Sequence, residues 1–130
     1  PGGAGDAGMS FYTMAGAVSN ERMVLSSVGT LATSGGRILK TTRITSADSP
    51  YTVLVSDHII FADSDGGDIV INLLAGVDGT KLRHTNCGSS GNIVTVNPNG
   101  AENLFGSNTG FVLYDGDGIE TIFETTENWW

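Results

Sequence analysis

What most constrains this chain is the stretch Tyr51–Leu74, YTVLVSDHIIFADSDGGDIVINLL. Its Val, Ile, Phe and Tyr residues suit a pleated, half-buried surface. Between the two apolar runs, Asp63, Ser64, Asp65, Gly66, Gly67 and Asp68 supply the short polar side chains and permissive backbone of a reversal. The pattern predicts a β-hairpin. Val53 and Val55 alternate with Thr52 and Leu54, and Ile69, Ile71 and Leu73 with Val70, Asn72 and Leu74, so both faces are largely apolar. Such strands are buried on both sides, between two sheets or between a sheet and another subunit. Asp57 and His58 mark a bulge or corner.

The rest of the chain repeats this grammar. KLRHTN, CGSSGN and IVTVNP read as a second hairpin, and FVLY, DGDG and IETIFETTENWW as a third. Between them, Asn97 to Gly110 is rich in chain breakers and is expected to cross an end of the sheet. Residues 37–47, RILKTTRITSA, read as a strand, followed by a turn at Ser49 and Pro50. The 19 glycines, about twice the average usage of roughly 7%, fit a chain with many turns. With 130 residues the chain can bury one modest core. Residues 44–130 are therefore expected to form an all-β, compact antiparallel β-sandwich or jelly-roll-like domain.

Two segments precede it. Residues 1–10 place Gly2, Gly5 and Gly8 at a period of three, as a Gly-rich linker or the end of a collagen-like stalk would. The same residues spell GxGxxG, but no strand precedes it and no βαβ unit follows. Residues 11–43 are expected to be an extended N-terminal arm for attachment or oligomerisation. Within them Met14, Val18, Leu25, Val28 and Ala32 follow helical spacing loosely, Glu21 interrupts that face, and Gly16 and Gly29 weaken it. Short strands, an extended arm and a helix all stay open. Arg22, Arg37, Lys40 and Arg43 are the candidate attachment residues, and through Arg43 the balance is +2, against −10 from Ile44 onward.

The formal net charge of −8 argues against a nucleic-acid partner, whose phosphates demand Lys and Arg clusters. No run of about 18 apolar residues marks a membrane span. One cysteine, Cys87, rules out an intrachain disulfide, and with only His58 and His84 beside it a Cys-rich or three-His zinc site is beyond a single chain. Asp63, Asp65 and Asp68, with Asp115 and Asp117, are candidate ligands for a hard cation such as Ca²⁺, though Asp and Gly are also what tight turns use. No nucleophile motif occurs, and the GSSG at Gly88–Gly91 is turn chemistry. Trp129, Trp130 and Tyr114 are the candidate binding aromatics, able to stack on sugars or to pack as core or interface.

Residues 51–130 resemble a β-rich module of phage virion proteins: tail fibres, head fibres and capsid decorations. The resemblance lies in a succession, YTVLVSDHIIFADSDGGDIVINLLA, then KLRHTNCGSSGNIVTVNPNGAENLFG, then VLYDGDGIETIFETTENWW, and it covers 80 of the 130 residues. The chain departs from it at Leu73-Leu74-Ala75, where related modules often have Leu-Pro, and before the final Trp-Trp, where a Gly is common. The resemblance implies a homotrimeric structural protein on the virion surface, without cofactor or catalysis, acting in host attachment or capsid stabilisation. Its partners would be its own copies, other virion proteins such as capsid or fibre subunits, and host-surface glycans. The alternatives are a carbohydrate-binding or glycan-hydrolysing spike module and a bacterial surface adhesin.

Overall fold

The structure, a computed structural model, describes residues 39–130 in full and, of the earlier chain, the backbone of 9–15, 18–25 and 31–33. The chain divides into two units, Pro1–Ile38 and Leu39–Trp130. In the first, β1 (Met9–Ala15), β2 (Val18–Leu25) and β3 (Leu31–Thr33) form an antiparallel sheet in the order β1-β2-β3. Gly2, Gly5, Gly8 and Arg37 lie outside the described residues.

The second unit contains β4 (Thr41–Thr45), β5 (Tyr51–Thr52), β6 (Ile59–Asp63), β7 (Ile69–Asn72), β8 (Lys81–Asn86), β9 (Val94–Asn97), β10 (Phe111–Leu113) and β11 (Gly118–Ile122). Successive strands alternate between two sheets. Sheet I has the order β11-β8-β6-β4 and sheet II the order β10-β9-β7-β5. Within them β4, β6 and β8 run parallel, as do β5, β7 and β9, and only β11 on β8 and β10 on β9 are antiparallel. The chain therefore winds three times between the sheets and then folds back along both.

The all-β expectation holds, since the only helical pieces among the described residues are 3-10 turns at Ser46–Asp48 and Ser64–Gly66. The antiparallel arrangement does not. None of the three expected hairpins forms: β6 and β7, β8 and β9, and β10 and β11 each lie in different sheets. The strand-turn-strand signals are real, but each turn carries the chain across an end of the core instead of reversing it within one sheet. A parallel pair needs such a crossover, because a tight turn joins only antiparallel neighbours.

Two-residue alternation decides what is buried. Ile44, Ile60, Ala62 and Leu82 point inward from sheet I, and Ile69, Ile71, Val94, Val96 and Leu113 from sheet II, into one cluster. In-register stacking puts like beside like: Ile69 beside Val94 beside Leu113, and Ile71 beside Val96. The two ends of the unit differ. The crossings 46–50, 64–68, 87–93 and 114–117 make a polar end. Segments 53–58, 73–80, 98–110 and 123–130 make the other, where Phe123 and Trp130 close the core with ring centroids 5.1 Å apart. Gly76 lies flat against Phe123, where a Cβ would sit 2.2 Å from Cδ2.

This packing makes a simple prediction. Ile71→Ala, at a fully buried position of β7, is expected to lower the unfolding free energy by about 2–5 kcal/mol, and Ile122→Ala, on the exposed rim of β11, to leave it within about 0.5 kcal/mol. Urea denaturation followed by tryptophan fluorescence measures both.

Candidate functional site

Among the described residues the most heavily bonded carboxylate is that of Asp57, at the corner between β5 and β6. It is wholly buried, and accepts hydrogen bonds from the Tyr51 hydroxyl at 2.6 Å, Thr42 Oγ1 at 2.7 Å, Lys40 Nζ at 3.0 Å and the Leu54 amide at 3.0 Å. Burial pushes its pKa up, but the donors from Tyr51, Leu54, Thr42 and Lys40 outweigh burial and hold the carboxyl well below the usual carboxylate range. Tyr51 is pushed up to about 12, first by burial and then by the bond to Asp57. With every lone-pair direction engaged, Asp57 ties β4, β5 and the β5–β6 corner together and has no capacity left for proton transfer.

At the polar end, the three aspartates of DSDGGD point to different partners. Asp63 takes the Arg43 guanidinium at 2.6 Å and the Asp65 amide at 3.2 Å. Asp65 accepts from the Ser89 amide at 2.6 Å, and Asp68 from the Ile93 amide at 2.9 Å. Asp115 likewise takes the Gly91 amide, and Asp117 the Tyr114 amide. Each carboxylate thus caps an orphan backbone donor, two of them on the next winding. Among the described residues no group of three metal-ligating side chains comes together. Beneath them Ser64 and Asn86 are buried and hydrogen-bonded at 2.8 Å, and Asn86 also reaches the Asn92 and Leu113 carbonyls.

The candidate attachment cations Lys40 and Arg43 are bound to Asp57 and Asp63 within the unit. Arg22 falls in β2, whose side chains are not described. The candidate aromatics are separated. Trp130 is buried, its Nε1 donating to Glu102 at 2.6 Å, while the other Glu102 oxygen takes the Gly76 amide at 2.8 Å. Tyr114 is exposed at the polar end, in the turn between β10 and β11. Trp129 is exposed at the opposite end, beside Gly106, with Phe105 and Phe111 exposed nearby. The sequence reading passed over Phe105 and Phe111; the signal for the first was a bulky residue before Gly106 in a segment otherwise made of turn formers.

The unit's surface is electrostatically lopsided. Residues 39–130 carry four basic and twelve acidic side chains, none of them on a strand of sheet II. The outward positions of sheet II are Thr52, Val70, Asn72, Thr95, Asn97 and Val112, with Asn97 Nδ2 donating to Asn72 Oδ1 at 3.2 Å. The outer face of sheet I instead carries Arg43, Lys81, Arg83 and Glu120. No protein-family model, curated protein or solved structure matches the chain. No helix among the described residues is long and apolar enough to cross a membrane.

His84 stands apart from all of this. It points into the core from β8 between Ile60 and Ile119, fully buried, and neither ring nitrogen has a hydrogen-bond partner. Burial lowers its pKa to about 4, so the folded protein holds it neutral. The unfolded chain, with a histidine near 6.5, binds a proton first as pH falls. Stability from this residue is therefore complete above about pH 6.5 and is lost progressively down to about pH 4, by about 3 kcal/mol in all. Asp57 adds a second loss below about pH 4, where the unfolded carboxyl protonates before the folded one. Denaturant unfolding between pH 7 and 4 should show the first slope in the parent protein, and His84→Leu should flatten it.

Proposed function

We propose that this chain is a structural and adhesive module of a phage particle, a homotrimer displayed on the virion surface and anchored through other virion proteins. In this reading sheets I and II make a compact sandwich, and the outer face of sheet II turns toward neighbouring copies. The observation that carries it is the uncharged outer face of sheet II on a unit with four basic and twelve acidic residues. Like-charged copies repel one another through most of their surface, and a flat face of Val, Thr and Asn is where they approach at least electrostatic cost. The resemblance of residues 51–130 to virion modules and the period-three glycines Gly2, Gly5 and Gly8 support the same assembly.

A binding role fits the carboxylates better than a catalytic one. Among the described residues the two buried acids are Asp57, which accepts four hydrogen bonds, and Glu102, which accepts one on each oxygen, all from donors inside the unit, as a scaffold requires. Attachment through residues 1–38 and display of the ends of the second unit complete the reading, whether the particle site is capsid or tail.

The test is the mass in solution. Light scattering at micromolar concentration should give three times the 13.5 kDa chain. Thr95→Asp, a charge at the centre of the sheet II face, should shift the protein toward monomer, and Thr85→Asp, on the outer face of sheet I, should not. A parent protein that runs as a 13.5 kDa monomer contradicts the proposal.

A further inference from the structure

Nine asparagines occur in the chain, and Asn99 is the one followed by glycine. Of the others, Asn97 precedes Pro98 and the remaining seven precede residues that carry a side chain. An asparagine carboxamide is an electrophile within reach of the next residue's amide nitrogen, and a five-membered ring forms when that nitrogen turns onto Cγ. A Cβ on the next residue obstructs the turn and proline has no N–H to lose, whereas glycine permits it.

The fold leaves this pair open. Asn99 and Gly100 are both exposed, in the segment that follows β9 at the core-closing end. They begin a four-residue turn, closed by the Glu102 amide donating to the Asn99 carbonyl at 2.9 Å. Gly100 stands second in it with φ +53°, and among the described residues its amide donates to no acceptor. Nothing lies within 4 Å of where a Gly100 Cβ would stand, so the ring and an attacking water have room on that side. The Asn99 side chain is held by one contact, Nδ2 donating to the Leu73 carbonyl at 3.3 Å, long for an N–H···O bond. The four Asp-Gly pairs differ on both counts. Asp65, Asp78, Asp115 and Asp117 carry carboxylates, poorer electrophiles than a carboxamide, and each already accepts a backbone amide.

We propose that Asn99 is a site of self-modification, at which the Gly100 amide nitrogen displaces ammonia from the Asn99 carboxamide. The N–Cγ bond forms, the Cγ–Nδ2 bond breaks, and ammonia leaves with the proton of the Gly100 amide. Water then opens the succinimide at one carbonyl or the other, giving aspartate or isoaspartate. Both products set a carboxylate in place of a donor toward the Leu73 carbonyl, so the tie between the 98–110 and 73–80 segments is lost. Isoaspartate also adds a methylene to the backbone inside the turn that sets Glu102, the acceptor of the Gly76 amide and of Trp130 Nε1. One uncatalysed exchange of bonds at the surface thus loosens the contacts that close the core. The inference is independent of the virion reading.

The experiment is incubation of the full chain at mildly alkaline pH and body temperature, followed by isoelectric focusing and peptide mass mapping. One carboxylate added to the parent's formal charge of −8 gives an isoform of −9, and the acid should map to position 99. Isomerisation at an Asp-Gly pair leaves the charge unchanged, so focusing separates the two chemistries. The isoaspartyl form should melt below the parent. Asn99→Gln, whose longer side chain closes its ring far more slowly, should keep the parent's charge and Tm. Asn99→Asp supplies the charge without the methylene, so its Tm should fall between those of the parent and the isoaspartyl form. Failure of the folded chain to form the acidic isoform overturns the proposal, even where the urea-unfolded chain forms it. So does an acidic isoform that maps to another asparagine or persists undiminished in Asn99→Gln. An acid at position 99 with the parent's Tm sustains the site and overturns the loosening.

Discussion

Parallel strands leave their chain at opposite ends, so every winding of the second unit must cross an end of the core and find partners there for the backbone groups it exposes. That constraint organises the protein. At the polar end the crossings are tied from one winding to the next by side-chain acceptors, Asp65 on the Ser89 amide and Asp68 on the Ile93 amide, over the buried Ser64–Asn86 pair. At the other end Asp57 holds the first crossing and Glu102 the later ones, through Gly76 and Trp130. The acidic composition is thus largely a set of backbone caps, and the negative charge of the unit follows from its topology.

The same constraint separates structure from function along the surface. The candidate side chains all have partners within the unit: Lys40 and Arg43 pair with Asp57 and Asp63, and Asp65 and Asp68 accept from the Ser89 and Ile93 amides. Among the described residues, the strands of sheet II carry no charge on their outer face, and Phe105, Phe111 and Trp129 are among the exposed large apolar side chains. Two buried side chains among the described residues run against the pattern, Thr121, whose Oγ1 has no partner, and His84. His84 occupies an inward position among aliphatic neighbours with no partner for either nitrogen, and so costs stability whenever protons are available to the unfolded chain.

Most strand positions were legible in the sequence because alternation survives any topology, but Val53–Val55, read as strand, lies in the crossing after β5, with Leu54 and Val55 exposed. Ile69 and Ile71 face inward whether β7 pairs with β6 or with β9, so the core could be read while the pairing could not. DSDGGD and DGDG look the same in a hairpin and in a crossing; what distinguishes them is that Asp65, Asp68 and Asp115 reach amides on a different winding, a long-range fact. The two-faced apolar character of Tyr51–Leu74 pointed to burial between layers, which the single core cluster fed by both sheets accounts for on the inner face. Trp130 and Trp129 are adjacent in sequence and opposite in fate, because strand-like alternation turns one into the core and the other out. Phe105 was hidden because nothing in a single sequence marks a phenylalanine as forced to positive φ.

The account turns on the winding of the chain between two sheets, and interstrand contacts measured by NMR on isotopically labelled protein test it most directly. Cross-strand NOEs are expected between Val70 and Thr95 and between Ile60 and His84, the neighbours across β7–β9 and β6–β8. A ladder of antiparallel NOEs joining β6 to β7 through the DSDGGD turn would contradict it.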